Sequence, residues 1–257
     1  MYTTQLQAGQ GLVDETRTLL QLWESGMTTQ QLYQLALSSG HFPNITARRL
    51  RNIVAECFAP RYLVDSAMPA STLQMLQDHV SLPELKLLFL FYTCRANEIL
   101  ADFVREVYWQ RYAGGYSEVT KDDAERFVRR GLDQGKMVKR WADSTIRRVS
   151  AYILGCCGDY GLLSSACAGK RQMQPIHITP MVVGCVAYEL HTRGVSDTAL
   201  PSREEWSWIG LDEHEVLGRF KELSSRGWII LQSAAGLTQI SWKFRSMEEF
   251  CDAIAHG

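Results

Sequence analysis

The sequence predicts a mostly α-helical protein of two helical domains that carry short β-hairpins. Three observations lead there: apolar residues recur at helical spacing behind capping residues, strand-like runs are few and short, and the order of two helices followed by a hairpin occurs twice in the second half. With 257 residues, 46% of them hydrophobic, the chain is long and apolar enough to bury a sizeable core.

In the first domain, residues 1–115, Leu12, Val13, Thr16, Leu19, Leu20 and Trp23 share one helix face, and Gly26 supplies a stop. Thr28-Thr29-Gln30-Gln31 reads as a capping box for a second helix reaching about Leu37. Ser38-Ser39-Gly40 breaks it, and Asn44 is placed to cap a third helix through about Phe58. Helix, short turn, helix is the pattern of a helix-turn-helix. One long helix is expected from Pro83 to Gly114-Gly115, with Leu85, Leu88, Phe89, Tyr92, Ile99, Phe103, Val107 and Tyr108 as the scaffold of this domain. Composition and charge balance both change at 114–117, which marks the boundary.

The second domain, 116–257, divides into modules of about 116–179 and 180–257. Thr120 and Asp123 suit a helix start, and Asp143 or Ser144 can cap a following helix that carries Ile146, Val149, Tyr152, Ile153 and Leu154. Gly161-Leu162-Leu163, a polar turn with Gly169-Lys170-Arg171 and the alternating run Pro175-Ile176-His177-Ile178 are expected to form a hairpin, completing the order of a winged helix. The order returns with an apolar helix at 181–191, an Asp212-capped helix holding Val216, Leu217, Phe220 and Leu223, and strand-like runs Trp228-Ile229-Ile230-Leu231 and 237–242. A last helix is expected over Met247–Ala255.

The net charge is only −1, so any case for a polyanionic partner rests on distribution. Residues 116–180 hold 11 Lys and Arg against 7 Asp and Glu, whereas 181–257 hold 7 against 11. Arg48, Arg49 and Arg51 lie near the start of the second helix of the first helix-turn-helix, where such modules contact bases and phosphates. A solvated basic face is the plainer reading, and Arg61 fits either one. A larger set comprises Arg126, Arg129, Arg130, Lys136, Lys139, Arg140, Arg147 and Arg148, with Lys170 and Arg171 on the wing. A basic helix and wing would engage a groove and its flanking phosphates together; the alternative is docking of an acidic partner, or of the acidic third of this chain. Trp141 either stacks on a base or plugs the core. In the last module Asp212, Glu213, Glu215 and Glu222 would repel phosphate, so that module is expected to hold a protein, with Trp206, Trp208, Trp228, Trp242 and Phe244 as its core.

No P-loop, GxSxG, HExxH or dinucleotide glycine motif occurs, and the six histidines are scattered, so no catalytic site, metal, cofactor or small-molecule substrate is expected. The seven cysteines form no ligand-like pair and read as buried thiols of a cytoplasmic protein. The N-terminal residues lack a signal-peptide pattern, and the most apolar window, 85–92, falls short of the roughly 18–20 residues of a membrane span.

The chain resembles the BrxA family of the BREX bacteriophage-defence systems. The likeness rests on the stretch 6–16 with its Gly11-Leu12-Val13-Asp14-Glu15-Thr16, on Thr46-Ala47-Arg48-Arg49 with Pro60-Arg61-Tyr62 behind it, and on Trp141-x-x-Ser144-Thr145-x-Arg147 running to Tyr160-Gly161-Leu162-Leu163. The resemblance implies a helical DNA-binding accessory factor without enzymatic activity, working beside a methyltransferase, an ATPase and a phosphatase-like protein of the same system. The combined expectation is double-stranded DNA binding with little sequence preference. Its rivals are a winged-helix scaffold docking other defence subunits and a sequence-specific transcription regulator.

Overall fold

The computed structural model describes residues 1–165, 170–234 and 237–255. It is mostly helical with two small antiparallel sheets, as the sequence leads one to expect. Helix α1 (Val13–Leu22) buries Thr16, Leu19 and Leu20. Helix α2 (Thr29–Ser38) begins in the expected capping box: the Thr28 backbone N–H donates to Gln31 Oε1 at 2.8 Å and the Gln31 N–H donates to Thr28 Oγ1 at 3.2 Å. Helix α3 (Ala47–Asn52) is capped by Thr46, two residues after the expected Asn44. The helix then runs on past Phe58, through a π-helical stretch (Ile53–Phe58) into α4 (Ala59–Tyr62). Pro60 explains the π turn. A proline ring inside a regular helix collides with the carbonyl four residues back, here that of Glu56, and widening the turn relieves the collision; the Ala59 N–H accordingly reaches Val54 O.

Before α5 (Met68–Leu76) the backbone makes a left-handed turn in which Asp65, Ser66 and Ala67 all have φ between 52° and 60°. The turn has no sequence signal of the kind used above; Pro69, in the first turn of α5, marks the helix start. Helix α6 (Leu82–Ala96) is buried on every side from Leu87 to Cys94, as expected of a central scaffold. The single long helix expected from Pro83 onward is broken, however. Asn97 is extended (φ −138°, ψ 93°), and its side-chain Nδ2 donates to Thr93 O at 3.1 Å, taking over a carbonyl that a continuing helix would use. Helix α7 (Glu98–Phe103), a second π-helical stretch (Val104–Tyr108) and α8 (Trp109–Ala113) follow.

Strand β1 (Glu118–Thr120) leads directly into α9 (Lys121–Asp133), whose capping box pairs Thr120 with Asp123, and α10 (Asp143–Asp159) packs against α9. The expected hairpin between 161–163 and 175–178 is replaced by a different pairing. Strand β2 (Lys170–Gln172) runs antiparallel to β1, Thr120 facing Lys170, and Leu163 makes a single bridge to Met173, so the strand pairing ends before Pro175. The physical reason is that β1, too short to be read from three residues of sequence, supplies the better partner. Gly169, part of the expected turn, lies outside the described residues.

Helix α11 (Pro180–Thr192) has the favoured proline in its first turn and is buried from Met181 to Leu190. After a 3₁₀ turn (Glu204–Ile209), α12 (Glu213–Ser225) starts in a capping box between Asp212 and Glu215. Strands β3 (Ile229–Ala234) and β4 (Leu237–Trp242) form the expected hairpin with Ile229 opposite Trp242, and α13 (Met247–Ala255) closes the chain over α5 and α11.

Several polar contacts span the sequence midpoint. The Tyr2 N–H donates to Lys136 O at 2.7 Å and its hydroxyl to Asp102 Oδ2 at 2.7 Å, pinning the N-terminus to the segment after α9. Arg61, expected as a possible surface cation, is buried. Its guanidinium donates to Gly9 O at 2.8 Å and Gln10 O at 3.0 Å, and it lies 3.5 Å from the Tyr160 hydroxyl, which in turn sits 2.6 Å from Thr93 Oγ1. Glu189, fully buried on α11, is held by Arg95 and by the Tyr92 hydroxyl at 3.1 Å; burial pushes its carboxyl above the ordinary carboxylate range although both partners oppose this. Replacing Arg61 with Met should leave two backbone carbonyls without donors and cost about 3–5 kcal/mol, read as a lower urea midpoint with an unchanged m-value. A loss below about 1 kcal/mol would mean that the guanidinium contributes little to the fold.

Candidate nucleic-acid interface

The basic side chains named from the sequence fall into two groups according to whether the fold gives them a carboxylate. Half of those on and after α9 are paired with a carboxylate. Arg126 bonds to Asp123, Arg129 to Asp143 at 2.7 Å, Arg130 to Glu106 at 2.7 Å, and Lys136 to Asp102 at 2.7 Å with the Tyr2 hydroxyl 3.2 Å away. On β2, Lys170 reaches Glu118 at 2.9 Å. Arg171 turns inward: it donates to Ser164 O at 3.3 Å over Gly158, where a Cβ would lie 2.5 Å from its Nη1. The two cations on β2 are therefore engaged by the protein itself.

Lys139 and Arg140, in the segment before α10, and Arg147 and Arg148, in its first two turns, are exposed and make no ion pair among the described residues. Arg48 and Arg51 on α3 share both properties, whereas Arg49 is half-buried and engaged. The helical period explains the α10 pattern: Ile146, Val149, Ser150 and Ile153 face the core, which turns positions 147 and 148 outward. Trp141 packs partly buried against the core, in keeping with a plug at the helix start.

Asp143 organises this surface. Its carboxyl is held below the ordinary range, first by the hydrogen bond from Arg129 and then by the charge of the same residue, with Arg147 and Arg140 adding to the effect. Arg129 is the direct partner of this carboxylate and the charges of Arg147 and Arg140 also act on it, leaving an excess of positive charge at the start of α10. The sequence offers Asp143 or Ser144 as the cap of this helix; instead Ala142 takes the N-cap position without a side-chain bond, and Asp143 is the first helical residue, its carboxylate turned to Arg129. That pairing is not visible in the sequence, because the partners lie on different helices.

The last module is arranged differently. Glu213 and Glu215 project from the first turn of α12, and Arg219 is taken up by Glu222 at 3.1 Å. Trp206 and Trp208 are buried, and the Trp242 ring packs edge-on to Tyr188 at 4.7 Å between centroids, in keeping with a core role. Among the described residues no group of His, Cys, Asp and Glu has the geometry to hold a metal ion, and no helix is long and apolar enough to cross a membrane.

The Asp143 pairing can be checked by NMR titration. The wild-type carboxyl should titrate below the usual value of about 3.9, and Arg129→Gln should move it up toward that value. The depressed pKa gives a contribution to stability that is present above the unfolded-state value and is lost as pH falls through the folded one. An unshifted Asp143 in the wild type would dissolve the cluster.

A search of the curated proteins finds no match. Among solved structures, the crystal structure of an uncharacterized protein from Magnetospirillum magneticum is similar with a TM-score of 0.60 at 12% identity, covering 81% of this chain and 97% of that one, a likeness of fold. The BrxA family model matches residues 1–189, which takes in α3, α9, α10 and the cations described above. The chain belongs to the BrxA family.

Proposed function

We propose that this protein is a non-enzymatic, double-stranded DNA-binding component of a BREX phage-defence system, acting in the cytoplasm beside the other subunits of that system. The observation that carries the reading is the cluster of Lys139, Arg140, Arg147 and Arg148, exposed and without ion pairs among the described residues, at the start of one long helix. The order β1, α9, α10, β2, with β2 paired back to β1, is read as a winged helix in which α10 occupies the recognition position. Phosphate attraction and counterion release supply most of the affinity, so binding depends weakly on sequence. Arg48 and Arg51 form a second point of contact on the domain 1–115. Arg126, Arg129, Arg130, Lys136 and Lys170 contribute less than their number implies, because each gives up a carboxylate before it meets a phosphate. Arg171, bonded to Ser164 O, and Arg49, half-buried, rank below the exposed pairs for the same reason.

The acidic start of α12 favours a second reading for the module 180–257, as the part that holds another defence subunit. That reading requires a stable complex between purified proteins and survives a failure of DNA binding.

The decisive experiment is binding to a random-sequence duplex of about 30 base pairs across a salt series. If the four α10-proximal cations dominate, log K should fall against log salt with a slope of roughly −3 to −4, and Arg147→Glu with Arg148→Glu should reduce that slope by about 2 while Arg126→Glu changes it little. No binding at low salt would overturn the proposal. Asp143→Asn should tighten binding at fixed salt, since it removes the one carboxylate inside the cluster; weaker binding in a folded Asp143→Asn protein would place the duplex elsewhere.

A further inference from the structure

The sequence 175–178 has the alternation of a strand, yet the fold leaves it without a strand partner. The chain is paired up to Met173 and continues to Thr179 with neither turn nor bend, Ile178 buried and His177 exposed. The Ile176 N–H donates to the Tyr112 hydroxyl at 3.3 Å, and among the described residues no hydrogen bond engages the His177 N–H. Successive N–H groups of an extended chain point to opposite edges, so the edge presented by His177 faces away from Tyr112. Cavities of about 720 Å³ and 650 Å³ adjoin the segment, and both have Ile176 and His177 in their walls. The larger is lined mainly by apolar groups, among them Leu82, Leu87, Leu163 and Pro175, and Leu82 is 44% exposed at its rim.

We propose that segment 175–178 is an edge that accepts a β-strand from a partner protein, whose apolar side chain enters the larger cavity and whose neighbouring carboxylate meets Lys86. Charge complementarity selects this occupant. Glu84 lines the same cavity and stays charged: its Oε1 accepts from Thr179 at 2.6 Å and its Oε2 from the Ser81 hydroxyl at 2.7 Å and the Ser81 N–H at 2.9 Å, which hold it toward Ser81 and Thr179 and leave Lys86 as the cation for the occupant. Lys86 makes no ion pair among the described residues and stands where this cavity meets a third one, of about 540 Å³, walled by Asp14, Glu15 and Asp159. Asp159 already accepts from the Gly11 N–H at 2.9 Å. The matching segment therefore has a carboxylate beside its apolar anchor and a cation at the end that lies over Asp14 and Glu15. Strand addition suits such a site, because main-chain hydrogen bonds supply affinity while alternate side chains supply selectivity. The surface is separate from the α10 cations, so it would hold a protein whether or not DNA is bound.

The test selects a displayed library of random heptapeptides on the full-length protein and measures the isolated peptides by fluorescence anisotropy. Enriched peptides should alternate apolar and polar residues with an acidic residue next to an apolar one. Their affinity should fall at least tenfold on Lys86→Glu, in a protein that melts like the wild type, and at least tenfold when alternate peptide nitrogens are methylated to remove backbone donors. Leu82→Glu, on the exposed rim, repeats the test if the first variant does not fold. No enrichment, binding indifferent to these variants, or binding indifferent to N-methylation would each overturn the proposal. So would sedimentation showing a wild-type dimer that Lys86→Glu dissociates, since the occupant would then be a second copy of this chain.

Discussion

Among the described residues Arg61 is the one cation removed from water, and it is neutralised by no carboxylate. Its guanidinium is solvated instead by the carbonyls of Gly9 and Gln10, beside the Tyr160 hydroxyl at the end of α10. A buried charge of this kind is tolerable only when its donors find fixed acceptors, so the segment 9–11 has to lie where it does. The backbone there is correspondingly tight. A Cβ on Gly11 would lie 2.3 Å from the Asp159 side chain, and one on Gly155 would lie 1.8 Å from the Gln10 amide oxygen. The end of α10 is thereby locked to α4 and, through Tyr160 and Thr93, to the buried helix α6. The opposite end of α10, with its exposed arginines, inherits its orientation from that lock.

The same fold decides which cations remain available. Charge counting along 116–180 gives a region with a basic excess, but carboxylates from α7, from the π-helical stretch after it and from β1 reach across to meet Lys136, Arg130 and Lys170. What remains is a smaller patch set around Asp143, with the remote pair Arg48 and Arg51. A compact set of unpaired charges is a more selective electrostatic feature than a long basic stretch, because each paired cation must lose a partner before it gains a phosphate.

Local chemistry made much of the architecture legible. The capping boxes at Thr28 and Thr120, the apolar helix α11, the hairpin β3–β4 and the limits of α13 all depend on residues a few positions apart, whose preferences survive folding intact. The features that escaped turn on single side chains or on pairing between distant segments. The break at Asn97 comes from one side chain competing for a carbonyl, the π turn from a proline met in mid-helix, and the pairing of β1 with β2 from segments about fifty residues apart. Strand alternation at 175–178 was correctly visible as a pattern and wrongly assigned a partner, because periodicity reports which side chains face inward and nothing about what lies along the edge.

The sequence by itself determined that the chain is mostly helical, where most helices begin, and that positive charge concentrates in its middle third. These follow from periodicity, capping and composition, which are short-range or additive properties. Only the tertiary structure decided that Arg61 is internal, that Lys136 and Arg130 are neutralised, and that Lys139, Arg140, Arg147 and Arg148 are not. Those outcomes depend on which carboxylate or carbonyl arrives from a distant part of the chain, and electrostatic pairing at a few ångströms is set by packing, whatever the spacing in sequence.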